Sequence, residues 1–408
     1  MNGIRQFILK GLVLSSLTLL FFCQDSPVDP IADVEPIADE RIWEATASVF
    51  PNIGTENTYF QPELITIVEG DTVTLGVDYQ VRCDYDNDGI AETGWLNSLP
   101  NTPLFSTYGK HVFNVEIATA SGQIMTSAAC SVYVQQLYQI TPTNTSGNVQ
   151  GNITWLKNVS NRIAFDMKGE DANSGRSIWV VEYPNGDPIQ VTSNPDTTEN
   201  YYHTFPEWSP EGDRIAYSND GIEMMNLFSG ITEILDERGG DYAKSWSPDG
   251  RWLIYWSGYN SETLIYDFEN NSSSVLFDDQ YVVGWSPDGG KLATCQMGDW
   301  ENSTLQIIDF ESKAVLEEHI VPTHGYKLEW SPDGKWISIG FDGHKRYGHI
   351  FNYETKSTYT WKPDDLIACW YPSWSGDGSL LAFEAVKPVS GVSTSIWAIE
   401  LPDELVGL

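Results

Sequence analysis

Asp84, Asp86 and Asp88 stand at alternate positions ahead of Gly89, and Glu92 follows three residues later. Carboxylates alternating along a turning chain bring hard oxygen donors to one point, and the glycine permits the bend such a loop needs. This is the opening of a calcium loop. Counted from Asp84, position seven offers the Ile90 carbonyl and position nine Glu92, while position twelve is Trp95 where the helix-loop-helix version has a bidentate Glu. The same residues would also serve as an acidic turn facing water. A second group of polar and aromatic residues is spread over the later chain: His203, Tyr259, Asp299, Trp300, His324, Asp342 and His344. Nucleophile chemistry is poorly represented. No Gly-x-Ser-x-Gly elbow occurs, and no Cys/His spacing suits a zinc ion.

The elements that must position these residues are announced by a repeated motif. Trp208-Ser-Pro-Glu-Gly212, Trp246-Ser-Pro-Asp-Gly250, Trp285-Ser-Pro-Asp-Gly289, Trp330-Ser-Pro-Asp-Gly334 and Trp374-Ser-Gly-Asp-Gly378 follow one another at intervals of 38, 39, 45 and 44 residues. Pro presets the first corner of a type I turn, Asp suits the second, and Gly accepts the positive φ after it. Apolar runs follow, such as Ile215-Ala-Tyr217 and Leu253-Ile-Tyr255, and then a third alternating run such as Leu264-Ile-Tyr-Asp-Phe268. A weaker fourth run, such as Ile231-Thr-Glu-Ile-Leu235, completes a unit of four antiparallel strands. Such a unit cannot bury its own faces and must stack on its neighbours. An earlier copy, from Ile153-Thr-Trp155 through Ile178-Trp-Val-Val-Glu-Tyr183, keeps the grammar without the turn motif, so the count is six. Little chain follows Leu401, and Leu137-Tyr-Gln-Ile140 is expected to supply the last unit's fourth strand.

These repeats resemble the TolB-type, WD-like repeat over roughly residues 143 to 401. The resemblance implies a six-bladed propeller, found in periplasmic or envelope proteins and as non-catalytic gates on some peptidases. In such a ring the fourth-to-first and second-to-third strand connections open on one face. His203 and His324 fall in the first kind of connection; Asp342 and His344 lie in the second kind, and Tyr259, Asp299 and Trp300 occupy equivalent connections. Aromatic platforms with polar neighbours suit sugars or peptide segments. The repeated Trp is read as packing between units. Some oligogalacturonate-cleaving lyases also resemble this repeat and use a His-rich metal centre, but the histidines here are dispersed and the ligands cannot be carried over.

Residues 61–136 resemble a PKD-type, immunoglobulin-like module, through Tyr79 to Gly89, then Tyr108-Gly109 and Phe113-Asn-Val115, then Cys130-Ser-Val-Tyr-Val134. Cys83 stands where that family usually has Trp. Met1 to Phe22 reads as a signal peptide, with Arg5 and Lys10 flanking a 12-residue apolar core too short to span a bilayer comfortably. Cys23 follows directly, which resembles a lipoprotein signal, although Phe22 is larger than the residue usual at that cleavage site. The expected organisation is therefore all-β: signal peptide 1–22, acidic and Pro-rich tether 23–60, β-sandwich 61–136, and six-bladed propeller 137–408.

Composition narrows the partners. With 22 Lys and Arg against 57 Asp and Glu, the net charge of −35 repels phosphate backbones and excludes nucleic acid as a partner class. Export also permits disulfides, and Cys83 and Cys130 are candidates for one because both lie in the sandwich. Cys295 and Cys369 belong to different units and are expected unpaired. The expected function is non-enzymatic: a monomeric protein, exported and lipid-anchored in the periplasm or on the cell surface, that recognises an envelope protein or glycan through the loop-rich face of the propeller. The alternative is a metal-assisted polysaccharide lyase or hydrolase acting at that face. Possible Ca2+ in the Asp84 loop is the sole cofactor suggested.

Overall fold

The structure is a computed structural model that describes residues 43–50, 53–54, 61–68, 71–76, 79–119, 123–141, 150–157, 161–168, 175–193, 202–237, 242–257, 262–278, 281–296, 303–322, 325–341, 348–361, 366, 369–386 and 394–401. Among the described residues there is no helix, and no segment fit to cross a membrane as one. The chain divides into two compact units, Met1–Gln135 and Gln136–Leu408.

The first unit holds β1 (Trp43–Phe50), β2 (Ile53–Gly54), β3 (Gln61–Val68), β4 (Asp71–Val73), β5 (Tyr79–Asp84), β6 (Gly109–Thr119) and β7 (Ile124–Val134). One sheet has the order β1-β3-β4, and the strands β2-β7-β6-β5 lie side by side in another. Alternate residues of β5, β6 and β7 (Val81 and Cys83, Phe113 and Val115, Cys130 and Val132) meet in a single core that also takes in Ala47 of β1. Two expectations are corrected here. The tether does not extend unbroken to residue 60, because β1 pairs with β3 along its whole length. Trp43, Ala45, Ala47 and Val49 do alternate, but two alanines give that face too little apolar weight to be read as a strand. Nor are Cys83 and Cys130 joined. Cys83 pairs with Val115 on β6, and Cys130 pairs with Phe113 from the other side of β6. A whole strand thus separates them, about 4.8 Å per spacing, which puts their Cα atoms beyond the reach of a disulfide. Cys83, Cys130 and Cys295 are all buried thiols.

The second unit opens with β8 (Leu137–Gln139) and then forms sheets of four strands. The first is β9 (Gln150–Trp155), β10 (Arg162–Lys168), β11 (Arg176–Glu182) and β12 (Ile189–Gln190); the second is β13 (Thr204–Trp208), β14 (Arg214–Ser218), β15 (Ile222–Asn226) and β16 (Thr232–Asp236). The third is β17 (Tyr242–Trp246), β18 (Trp252–Ser257), β19 (Glu262–Asp267) and β20 (Ser272–Phe277). The fourth is β21 (Tyr281–Trp285), β22 (Lys291–Gln296), β23 (Ser303–Asp309) and β24 (Val315–Val321). The fifth set is β25 (Gly325–Trp330), β26 (Trp336–Phe341), β27 (Gly348–Asn352) and β28 (Thr358–Trp361). The last has β29 (Cys369–Trp374), β30 (Leu380–Val386) and β31 (Thr394–Glu400), and β8 pairs antiparallel with β31 as its fourth strand. The strand taken from before the repeats therefore completes the final sheet.

Each sheet's first strand packs against the first strands of its neighbours, and β29 packs against β9. Meandering sheets packed side by side in this way are the blades of a β-propeller. The repeated motif builds the joints. The Ser247 hydroxyl donates to Asp249 and accepts the Trp252 N–H at 2.8 Å, while the Gly250 N–H closes the turn on the Ser247 carbonyl at 2.9 Å. Gly250 has φ 70°, where a Cβ would be strained. The pattern recurs at Ser286, Ser331 and Ser375. In the second sheet Glu211 replaces the aspartate, and the Ser209 hydroxyl turns to Asp213 instead.

The tryptophans carry the contact from sheet to sheet. Trp246 and Trp374 donate their indole N–H to the carbonyls of Glu207 and Glu329 in the preceding sheets, at 3.2 and 3.1 Å. The backbone N–H of Trp285 goes to Ser245, that of Trp374 to Glu329 and that of Trp155 to Ser373, again in the preceding sheet each time. The last of these bonds joins the first sheet to the last. At Gly284 the fourth sheet approaches the fifth so closely that a Cβ would stand 2.6 Å from the Leu328 carbonyl oxygen.

Removing residues 137–141 should leave β31 as an open edge and lower the thermal midpoint by roughly 10 °C, the scale of a few kcal/mol in a unit of this size. Differential scanning calorimetry of the shortened chain checks this, and an unchanged midpoint contradicts the closing role.

Candidate functional site

The acidic loop begins where β5 ends. Asp84 is buried at the strand end and accepts the backbone N–H groups of Asp88 and Gly89 at 3.2 and 2.9 Å. Asp88 accepts the Ile90 N–H at 2.8 Å, and Glu92 accepts that of Tyr85. Asn87 and Gly89 adopt φ of 58° and 87°, which curls the chain back over its own carboxylates. As a result one oxygen from each of Asp84, Asp86, Asp88 and Glu92 lies within 4.8 Å of the others. The Asp86 carboxyl is raised from its ordinary value, first by loss of water around it and then by the charges of Asp88, Glu92 and Asp84. Four crowded oxygen donors of like charge form a group that could hold a hard cation. Trp95 takes no part: its ring lies under the Arg82 guanidinium at 4.8 Å.

In the second unit the expected face residues fare unequally. Tyr259, Asp299, Trp300, His324, Asp342 and His344 lie outside the described residues, as does Cys23 of the expected lipid site. His203 is described, and it does not reach the surface. It is 7% exposed, its Nδ1 is 2.9 Å from the Thr192 hydroxyl, and its ring packs 5.0 Å from that of Tyr217. Burial lowers its affinity for a proton, so it is a satisfied interior histidine, against the expectation of a ligand-facing one.

Other residues gather at that end of the inner strands. Tyr242 and Trp256 are stacked with centroids 5.0 Å apart, Phe205 meets Tyr242 edge-on at 4.5 Å, and Tyr371 meets Phe205 at 6.3 Å. All four are half-buried. They come from the second, third and last sheets, which only a narrow ring brings together. Phe205 and Tyr371 reach inward because both have positive φ, 52° and 49°, at irregularities in β13 and β29. Beside them Asp166 pairs with Arg176 and accepts the N–H of Phe205 at 3.2 Å and the amide of Asn152 at 2.6 Å. Glu384 completes this group. Burial and then the nearby Asp166 push its carboxyl up to about 8.

Midway along the ring lies a second buried polar group. Lys327 of the fifth sheet donates to the Ile153 carbonyl of the first at 2.6 Å and stands 3.7 Å from Glu207 of the second. It therefore spans the centre of the ring. Glu329 lies 3.4 Å from Lys327 and 3.5 Å from Lys157, and also accepts from Ser373 and the Trp374 N–H. Glu207 accepts the Thr154 hydroxyl at 3.2 Å, and burial above all pushes its carboxyl up to about 7. Below this level, at the Trp-Ser-Pro turns, a cavity of about 260 Å³ opens, walled by Trp155, Trp208, Trp246, Trp285 and Trp330 with prolines from the turns.

Sequence reasoning missed these groups for an identifiable reason. Thr154, Glu207, Ser245, Gly284, Glu329 and Ser373 each precede a repeated Trp. The column is small or acidic throughout, which is the one available signal that it faces the axis.

No family model matches the chain. Among curated proteins it is 23% identical over 171 residues to eukaryotic translation initiation factor 2A of Caenorhabditis elegans, covering 39% of the chain and 29% of that protein. It is 28% identical over 127 residues to the protein Atu1656 of Agrobacterium fabrum, covering 28% of the chain and 41% of that protein. The matches thus span less than half the length of either relative. Similar solved structures include oligogalacturonate lyase in complex with manganese (TM-score 0.45, 12% identity, 67% of this chain and 97% of that one). TolB from Acinetobacter baumannii (0.42, 14%, 78% and 79%) and a putative TolB from Agrobacterium tumefaciens (0.44, 12%, 65% and 97%) are others.

The raised Glu384 carboxyl has a signed consequence for stability. Its ordinary value is 4.5 and its folded value about 8, so between these limits the unfolded chain has released a proton that the folded chain keeps. Stability is full below pH 4.5 and falls as pH rises towards 8, by about 1.4 kcal/mol per unit at most. Glu384→Gln should remove this slope and be more stable than the parent at pH 8 but not at pH 5. Urea unfolding at the two pH values checks the difference.

Proposed function

We propose that this chain is a non-enzymatic binding protein of the cell envelope that recognises a protein or glycan partner through the loop end of a six-bladed propeller. The carrying observation is the run of half-buried rings, Trp256, Tyr242, Phe205 and Tyr371, with polar Asn152 and Arg176 beside it. Aromatic surface with a few directed polar groups is the usual make-up of a recognition site. Tyr259, Asp299, Trp300, His324, Asp342 and His344 would extend that surface from the connections. The first unit is, on this reading, a PKD-type immunoglobulin-like spacer, and Cys23 carries the lipid that holds the protein at a membrane. The large negative charge favours neutral or basic partners over polyanions.

Binding should be measured on a glycan array and by titration against candidate envelope proteins. Tyr371→Ala combined with Trp256→Ala should weaken the identified interaction about tenfold or more, the cost of losing anchoring aromatics; undiminished binding would remove the site. Cys23→Ser should move the protein from the detergent phase to the aqueous phase in a detergent partition.

A metal-assisted lyase or hydrolase is the second reading, favoured by one observation. Burial pushes the Glu384 carboxyl, beside Asp166 and Arg176, up to about 8, the range in which a general acid works. Turnover of polysaccharides that depends on added metal and is lost in both Glu384→Gln and His344→Ala would replace the first reading with this one.

Calcium is the ion we assign to the Asp84 loop. Calorimetric titration should give a dissociation constant of about 10⁻⁴–10⁻³ M, the range of extracellular modules, abolished in Asp86→Asn/Asp88→Asn. Affinity should weaken as pH falls through the raised Asp86 value, because the cation must displace that proton.

A further inference from the structure

The geometry points to a second binding site, in the Trp-walled cavity at the turn end of the inner strands, for a primary ammonium group on an apolar stem, such as the side chain of a partner's lysine. This site stands apart from the recognition surface proposed above. β13 runs from Thr204 at the loop end to Trp208 at the turn end, so the two sites occupy opposite ends of the same strands.

Three features define the guest. The walls are mainly tryptophans and prolines; the hydroxyls of Ser209 and Ser331 are committed to their own turns, and that of Ser245 accepts the Trp285 N–H. Indole rings are the side chains over which an ammonium group is best accommodated. At the inner end stands Glu207, with Thr154 and Lys157 beside it. Of the two acidic residues in the Lys327 group, Glu329 is the well-compensated one, held by two lysines, a hydroxyl and a backbone N–H. Glu207 accepts one hydroxyl and has Lys327 no nearer than 3.7 Å. Finally, Lys327 crosses the ring to the Ile153 carbonyl and towards Glu207, and the cavity lies on the turn side of that crossing, so a stem entering from the turns meets Glu207 with its end. A carboxyl in such a place holds its proton until a cation arrives to share the charge, and the proton is then released.

The test uses the full chain and three probes: n-butylamine as its ammonium ion, n-butanol as the neutral shape match, and Nα-acetyl-lysine methylamide. At pH 8 butylammonium should bind about tenfold or more tightly than butanol, a difference of about 1.4 kcal/mol. At pH 6 the preference should shrink, since Glu207 then holds its proton; Lys157, Lys327 and Glu329 are the other charged groups facing it. Glu207→Gln should bind both probes alike. Equal affinities in the parent at pH 8, no binding of either probe, or a preference that survives Glu207→Gln would each overturn the site. Should the variant not fold, the parent's pH series decides alone. Binding of the lysine derivative at least as tight as butylammonium supports a polypeptide guest; binding of butylammonium alone overturns the lysine and leaves only small amines.

Discussion

Where one sheet of the second unit meets the next there is a tryptophan, and the contact it makes with the sheet before it is the interaction on which the ring depends. Its ring fills the wedge between two inner strands, the indole or backbone N–H of Trp155, Trp246, Trp285 and Trp374 is spent on the preceding sheet, and the turn after it touches the turn before. A Cβ on Gly250 or Gly289 would lie 3.8 Å from Pro210 or Pro248, the proline of the neighbouring motif. No sheet covers its own faces. Buried apolar area, not any single hydrogen bond, therefore supplies most of the stabilisation, while the hydrogen bonds fix which neighbour is accepted and in what register.

This packing also sets the electrostatics. Inner strands drawn together by the tryptophans leave the residue before each Trp facing the axis, where water is scarce. Ser245 and Ser373 suit that position because a hydroxyl accepts the neighbouring Trp N–H at little desolvation cost. Glu207 and Glu329 are costlier, and Lys327 with Lys157 offsets part of the cost. Buried charge that adds little net stability is expected to remain where it has a task. Among the carboxyls that burial pushes upward, Glu207 stands apart from Asp166 and Glu384, which lie together near the other end of the inner strands.

Much of the ring was legible from residue order. Trp-Ser-Pro-Asp-Gly encodes its turn, since Ser, Pro, Asp and Gly all have a steric or hydrogen-bonding duty there. Outer strands were harder to read because they are half in water: Ile231, Ile234 and Leu316 are 61%, 60% and 49% exposed, so their alternation is diluted by polar neighbours. The clustering of the Asp84 loop carboxylates could be read because they are local in sequence. The axial groups could not, since Lys327 and Glu207 are brought together only by closure of the whole ring. His203 misled for a similar reason: its place in a connection suggested exposure, but Thr192 and Tyr217 draw it inside. Cys83 and Cys130 likewise share a core without sharing an edge, which residue order cannot distinguish from adjacency.

Lys327, stretched from the fifth sheet to the Ile153 carbonyl and towards Glu207 of the second, lays a charged crossbar over the axis. A substitution at one mouth of the ring then need not be felt at the other, because different side chains line the two ends of the same strands.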